Sequence, residues 1–200
     1  MTAPALRYER KTAQYQVALT VPQAQATRVH LPDEAAKAHF VTAVLKARTE
    51  PEEELELFGV KTAALKPRER RQVRGRVGAV SPVVGLIHNL NTWENISLPA
   101  AYHRTTPLEN VATLAHDVIG AFGADADELL ARVPDELSML ERKIAAFVRL
   151  LVSAPELMIF DALEEGLSHS ECKCAARFEA VYRGYQPGGT VLYVDTRENS

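Results

Sequence analysis

The chain has 200 residues, 46% of them hydrophobic and 24% charged, which is an ordinary globular balance with room for one domain. Its 23 lysines and arginines against 26 aspartates and glutamates leave a net charge of −3, which excludes a strongly basic nucleic-acid binder. No apolar run approaches the roughly 18–20 residues of a bilayer span, so no direct membrane insertion is expected.

Charged residues Arg7, Glu9, Arg10 and Lys11 precede any apolar stretch, which does not suit a secretory signal. Val17 to Val21, the stretch around Thr27 to Leu31, and Leu55 to Phe58 are rich in β-formers and read as short strands. From Pro32 to about Ala47 the pattern turns helical, with Ala35, Ala36, Phe40, Val41, Val44 and Leu45 forming one apolar face. Lys66 to Arg76 is a basic run, with six lysines and arginines against one glutamate, and an apolar strand follows at Val77 to Val80. No aromatic residue is interleaved in that run for base stacking, so it reads as a solvated helix face balanced by the acidic stretch Glu50 to Glu56.

Further on, Ile96 to Val118 is mixed, and Leu108 to Phe122 reads as helix. Pro134 to Ser153 has the period of a long amphipathic helix, and the apolar LMIF at 157–160 leads straight to Asp161. Ser170 to Tyr185 reads as another helix with Ser170 as its cap, and Gly188-Gly189 introduces a strand at Thr190 to Val194. Strands alternating with helices imply an α/β fold: a mostly parallel sheet flanked by helices.

Three segments of the second half, taken in order, resemble the ATP-binding cassette (ABC) family of transporter ATPases. RVGAVSPVVGLIHNLNTWENISLPAAYHR at 76–104 is similar to the region around that family's Q-loop, and its tone is nearest the lipid-transporting and lipoprotein-releasing branches. PDELSMLERKIAAFVRLLVSAPELMIFDALEEGL at 134–167 resembles the LSGGE signature, the helix after it, and the Walker B strand and turn. GGTVLYVDTRE at 188–198 resembles the strand that ends in the switch histidine. The resemblance implies a P-loop NTPase-like cassette fold over 1–200, with a small helical insert at roughly 83–150.

It also implies a phosphate-binding loop at 31–38, counted back from LFG at 57–59. The sequence there is LPDEAAKA, where the family has GxxGxGK(S/T). Lys37 falls in register with the family's lysine, but Leu31, Glu34 and Ala36 hold the glycine positions, and Ala38 replaces the hydroxyl that holds Mg²⁺. Glycines let consecutive backbone N–H groups converge on an anion at a helix N-terminus. Here Pro32 suits the first helical position, and Asp33 and Glu34 put carboxylates where a triphosphate would arrive.

The other chemical positions depart in the same direction. Asp161 keeps the Walker B aspartate, but Ala162 stands at the general-base position, with Glu164 and Glu165 two and three residues further on. Pro82 replaces the Q-loop glutamine, Thr196 the switch histidine, and Ser168 the aspartate of the loop after Walker B. The signature reads LSMLE at 137–141: Ser138 and Glu141 persist, while Met139 and Leu140 fill the glycine positions and block the approach of a partner's phosphate.

The apolar framework is kept while the phosphate-contacting positions are altered. The expectation is therefore a degenerate cassette with no cofactor and no metal site, docked on a membrane permease subunit or on an active ABC ATPase paralogue. It would be cytoplasmic and peripheral at the inner membrane through that permease, without nucleic acid. By the same resemblance Leu86, Ile87, Trp93 and Ile96 line the groove for a permease's coupling helix; packing inside the helical insert is the other reading of these residues. Two alternatives stay open. One is a weakly active subunit that binds ATP and Mg²⁺ through Lys37 and Asp161 and powers a transporter, and the other is a free-standing regulatory module. Cys172 and Cys174 are too few for a disulfide framework, and no pair among the histidines has a metal-ligand spacing.

Overall fold

Leu6–Lys11 alternates inward Leu6 and Tyr8 with outward charged side chains, and this half-buried pattern makes it strand β1. β1 pairs antiparallel with β2 (Gln16–Val21) on one side and β4 (Glu53–Leu57) on the other; the short β5 (Val60–Lys61) extends the sheet beyond β4. A second sheet is wholly parallel, in the order β3 (Ala26–Leu31), β8 (Thr190–Thr196), β7 (Leu157–Asp161), β6 (Val77–Val80). Every residue of β6 and β7 is buried, as expected of strands covered on both faces.

The computed structural model describes residues 3–13, 15–103 and 106–196, the His103 side chain excepted. Arg104, Arg197 and Glu198, which belong to segments quoted above, lie outside the described residues. The chain forms two compact units, one from the described residues of 1–83, 155–162 and 188–200, the other from 84–154 and 163–187.

In the first unit both sheets share one apolar core with helix α1 (Glu34–Lys46). Phe40, Val41 and Val44 supply its buried stripe, and Phe40 meets Tyr8 edge-on at 4.9 Å between ring centroids. Fully burying side chains of this size contributes about 1.5–3 kcal/mol each. The basic run is helix α2 (Pro67–Gly75) and its C-cap Arg76, and several of its cations have structural partners. Arg70 donates to the carbonyls of Ala47 and Leu65 at 3.1 Å. Arg76 forms a two-pronged pair with Glu156 at 2.7 and 2.8 Å and lies over the Phe58 ring.

The second unit is helical: α3 (Thr92–His103), α4 (Leu108–Ala121), α5 (Ala126–Ala131), α6 (Met139–Leu151), α7 (His169–Ala175) and α8 (Phe178–Tyr185). Phe122, Phe147 and Phe178 cluster at its centre, with centroid separations of 4.6 to 6.2 Å. Buried Asn95 spends both ends of its amide on the loop before α3. Its Oδ1 accepts from the Ile87 N–H at 2.7 Å, and its Nδ2 donates to the carbonyls of Ile87, Leu90 and Asn91.

Two helix expectations need correction. The helix expected from Pro134 begins at Met139, because Pro134–Glu136 is a separate 3₁₀ turn and Ser138 is the cap. The helix expected over 170–185 is two, broken where the Arg177 N–H bonds the carbonyl of Cys174, three residues back, and its cap is Ser168 rather than Ser170. Among the described residues no helix is long and apolar enough to cross a membrane.

Candidate functional site

The four parallel strands end side by side. Leu31 is level with Thr196, Asp161 with Val194, and Phe160 with Val80. In open α/β sheets ligands bind outside these carboxyl ends, so the residues just beyond them form the candidate site.

Helix α1 starts immediately after β3, and its first turn is closed by the chain itself. Asp33 is the N-cap: its backbone is extended and its carboxylate accepts from the Ala36 N–H at 2.8 Å. Pro32 therefore lies before the helix instead of at its first position, and of the two carboxylates only Glu34 stands within the first turn. One turn on, Lys37 is 3% exposed at its side chain, and its ammonium lies 2.8 Å from Glu34 Oε2 and 3.2 Å from Asp161 Oδ1. Burial pulls the Lys37 pKa down, but the hydrogen bond to Glu34 and the pull of Asp161 outweigh it and hold it above the ordinary lysine value. Lys37 is thus a buried cation with two internal anions.

Asp161, at the end of β7, is committed at both oxygens. Oδ1 faces Lys37, and Oδ2 accepts from the Ser81 hydroxyl at 2.5 Å. The same hydroxyl accepts from the Val83 N–H at 3.1 Å, which folds the chain over exposed Pro82. Ser81 is a site residue that reading the sequence missed, although a lone serine directly after an all-apolar strand is a usable signal. Ala162 is buried with φ 47° in the left-handed region, and its N–H bonds the carbonyl of Val194 at 3.0 Å. Thr196 is buried at the end of β8. Lys37, Asp161, Ser81, Pro82, Ala162 and Thr196 all belong to the first unit.

Ser138 and Glu141 belong to the second unit and form a capping box. The Ser138 hydroxyl accepts from the Glu141 N–H at 3.3 Å, and Glu141 accepts from the Ser138 N–H at 2.8 Å and pairs closely with Arg132. Burial raises the Glu141 pKa, but Arg132 and Ser138 outweigh it and lower the value overall. Ser138 and Glu141 therefore hold the start of α6. Ser138→Ala is expected to cost about 1 kcal/mol, read as a lower urea midpoint. Ser168 does the same for α7 with Glu171. Lys143 donates to the carbonyls of Leu163 and Glu165 at 2.7 and 2.9 Å and so pins that turn, while the Glu164 and Glu165 side chains are exposed.

Of the residues expected in a permease groove, Ile96 is fully buried and belongs to the core of its own unit. Leu86 and Trp93 are half-buried, and Ile87 is 40% exposed.

No protein-family model and no curated protein matches the chain. Solved structures do. It superposes on cbiO1 from Clostridium perfringens with a TM-score of 0.71 at 13% identity, over 97% of this chain and 78% of that one. A dimeric bacterial ABC transporter cassette gives 0.72 at 17% identity, over 99% and 88%. A structure described as the ATP-binding subunit of an ABC transporter gives 0.72 at 14%, over 96% and 80%. The fold is that of an ATP-binding cassette.

Within that cassette fold, the residues at 31–38 do not fit a triphosphate. Leu31, Glu34 and Ala36 each carry a Cβ at the positions that the sequence resemblance sets against a phosphate loop's glycines, and Asp33 takes the Ala36 N–H that an anion would use. Glu34 holds the lysine, and an added anion beside either carboxylate meets repulsion on the order of 1–4 kcal/mol.

Proposed function

We propose that this cassette no longer hydrolyses ATP and serves as a structural or regulatory subunit of a membrane transport complex. The observation that carries the reading is the Lys37 ammonium held between Glu34 at 2.8 Å and Asp161 at 3.2 Å, where the fold would otherwise present it to phosphate. Ala162 offers no carboxylate to activate water, and Ala38 no hydroxyl for Mg²⁺. The chain keeps the cassette scaffold and fills its chemical positions with its own side chains.

A permease is the partner this reading assigns. One structural neighbour, cbiO1, is described as part of the ABC transporter complex cbiONQ. Residues 76–104 favour the lipid or lipoprotein type of transporter, and an active paralogue would supply the energy. The solved post-hydrolysis state of a neighbouring cassette holds ADP and Pi; by contrast, this chain binds neither ATP nor Mg²⁺ under the proposal.

Isothermal titration with Mg-ATP tests it. No saturable heat is expected up to millimolar nucleotide, whereas a micromolar Kd with turnover abolished by Lys37→Ala would establish the active alternative.

A further inference from the structure

The three charged groups at the start of α1 are unequal. Lys37 and Asp161 are 3% and 2% exposed at their side chains, whereas Glu34 is 59% exposed. Lys37 is fixed by burial, and Asp161 by Lys37 on one oxygen and the Ser81 hydroxyl on the other. Glu34 sits on the first turn of a surface helix and reaches Lys37 through a flexible side chain. It alone can leave without disturbing the core.

We propose that Glu34 is a self-inhibiting anion, an internal carboxylate that fills the outer side of Lys37 and bars an external phosphate from it. The inference rests on the reading above that the unmodified chain takes no nucleotide. An ammonium has three N–H donors, and here Asp161 takes the inner direction and Glu34 the outer one. A carboxylate tethered one helical turn away acts at an effective concentration of millimolar or more, so free phosphate at similar concentration competes poorly. The charges point the same way. Lys37, Asp161 and Glu34 together carry one net negative charge, which repels an incoming anion. Neutralising Glu34 leaves a balanced buried pair with no anion on the outer side of the ammonium.

The test is isothermal titration of inorganic phosphate, without metal, into the full chain and into the Glu34→Gln and Glu34→Ala variants. The wild type is expected to give no saturable binding. Both variants are expected to bind at least about tenfold more tightly. The gain is expected to vanish in the E34Q/K37M/D161N chain, which removes the cation while leaving the buried pair neutral. Thermal melts of all four proteins establish that each is folded. A silent wild type with variants equally silent overturns this inference and leaves the proposed function standing. A gain that persists in the triple variant also overturns it, because the anion would then be held elsewhere. Micromolar Mg-ATP binding by the wild type overturns the proposed function itself.

Discussion

Replacing Lys37 with methionine is expected to lower the unfolding free energy by about 3–5 kcal/mol, a large part of the roughly 5–15 kcal/mol that holds a domain of this kind together. Methionine fills much the same volume, so packing is not the main loss. The loss comes from Asp161, which is left buried with only the Ser81 hydroxyl to answer it. The remedy follows from the same account. K37M/D161N replaces the pair by two neutral groups, the asparagine oxygen still accepts from Ser81, and most of the stability should return. Glu34→Ala touches the same ammonium, yet Glu34 is largely exposed, so that change should stay within about 0.5 kcal/mol. Urea titrations read all three as midpoint shifts at constant slope. A Lys37→Met loss below about 1 kcal/mol would mean that Asp161 is not relying on this cation.

β6 and β7 were legible because they are buried on both faces and so read as apolar runs. LMIF ending in Asp161 shows this well, and the helix expected from Pro32 came within a residue or two of α1 for a similar reason. β1 was not legible: Leu6–Lys11 shows its charged half outward, and that alternation reads in sequence as mere polarity before the first apolar stretch. α3 was obscured by Pro99 inside it, which breaks the helical signal although the helix continues around it. At the site, Lys37 and Asp161 were placed by resemblance, but their direct pairing depends on a long-range contact that no local pattern shows. Ser138 and Glu141 illustrate the opposite case. They were placed by resemblance to a signature, and the spacing Ser-x-x-Glu before an apolar helix also signals the capping box that the structure shows.

The second large effect is expected at Glu53, the first residue of β4. Its side chain is fully buried and gathers partners from two elements and a loop. Tyr8 of β1 donates its hydroxyl at 2.8 Å, His39 of α1 approaches at 2.5 Å, Arg10 lies at 3.4 Å, and the Glu50 N–H bonds Oε2 at 3.0 Å. Glu53→Ala removes the common acceptor and strands those donors, at an expected cost of about 3–5 kcal/mol; Tyr8→Phe removes one donor and should cost about 0.5–1.5 kcal/mol. Burial raises the Glu53 pKa, but the Glu50 N–H, the Tyr8 hydroxyl and His39 outweigh it, so the folded value is lower than the unfolded one. Its contribution to stability is therefore complete above the unfolded pKa of about 4.3 and is lost as pH falls through the folded value. Glu141 and Glu156 are lowered as well and add slopes of the same sign. Comparing wild type with Glu53→Gln separates the terms: the variant should be less stable at pH 7 and lose less on going from pH 5 to about pH 3. Parallel curves for the two proteins would mean that the Glu53 carboxylate is held no better in the fold than in the open chain.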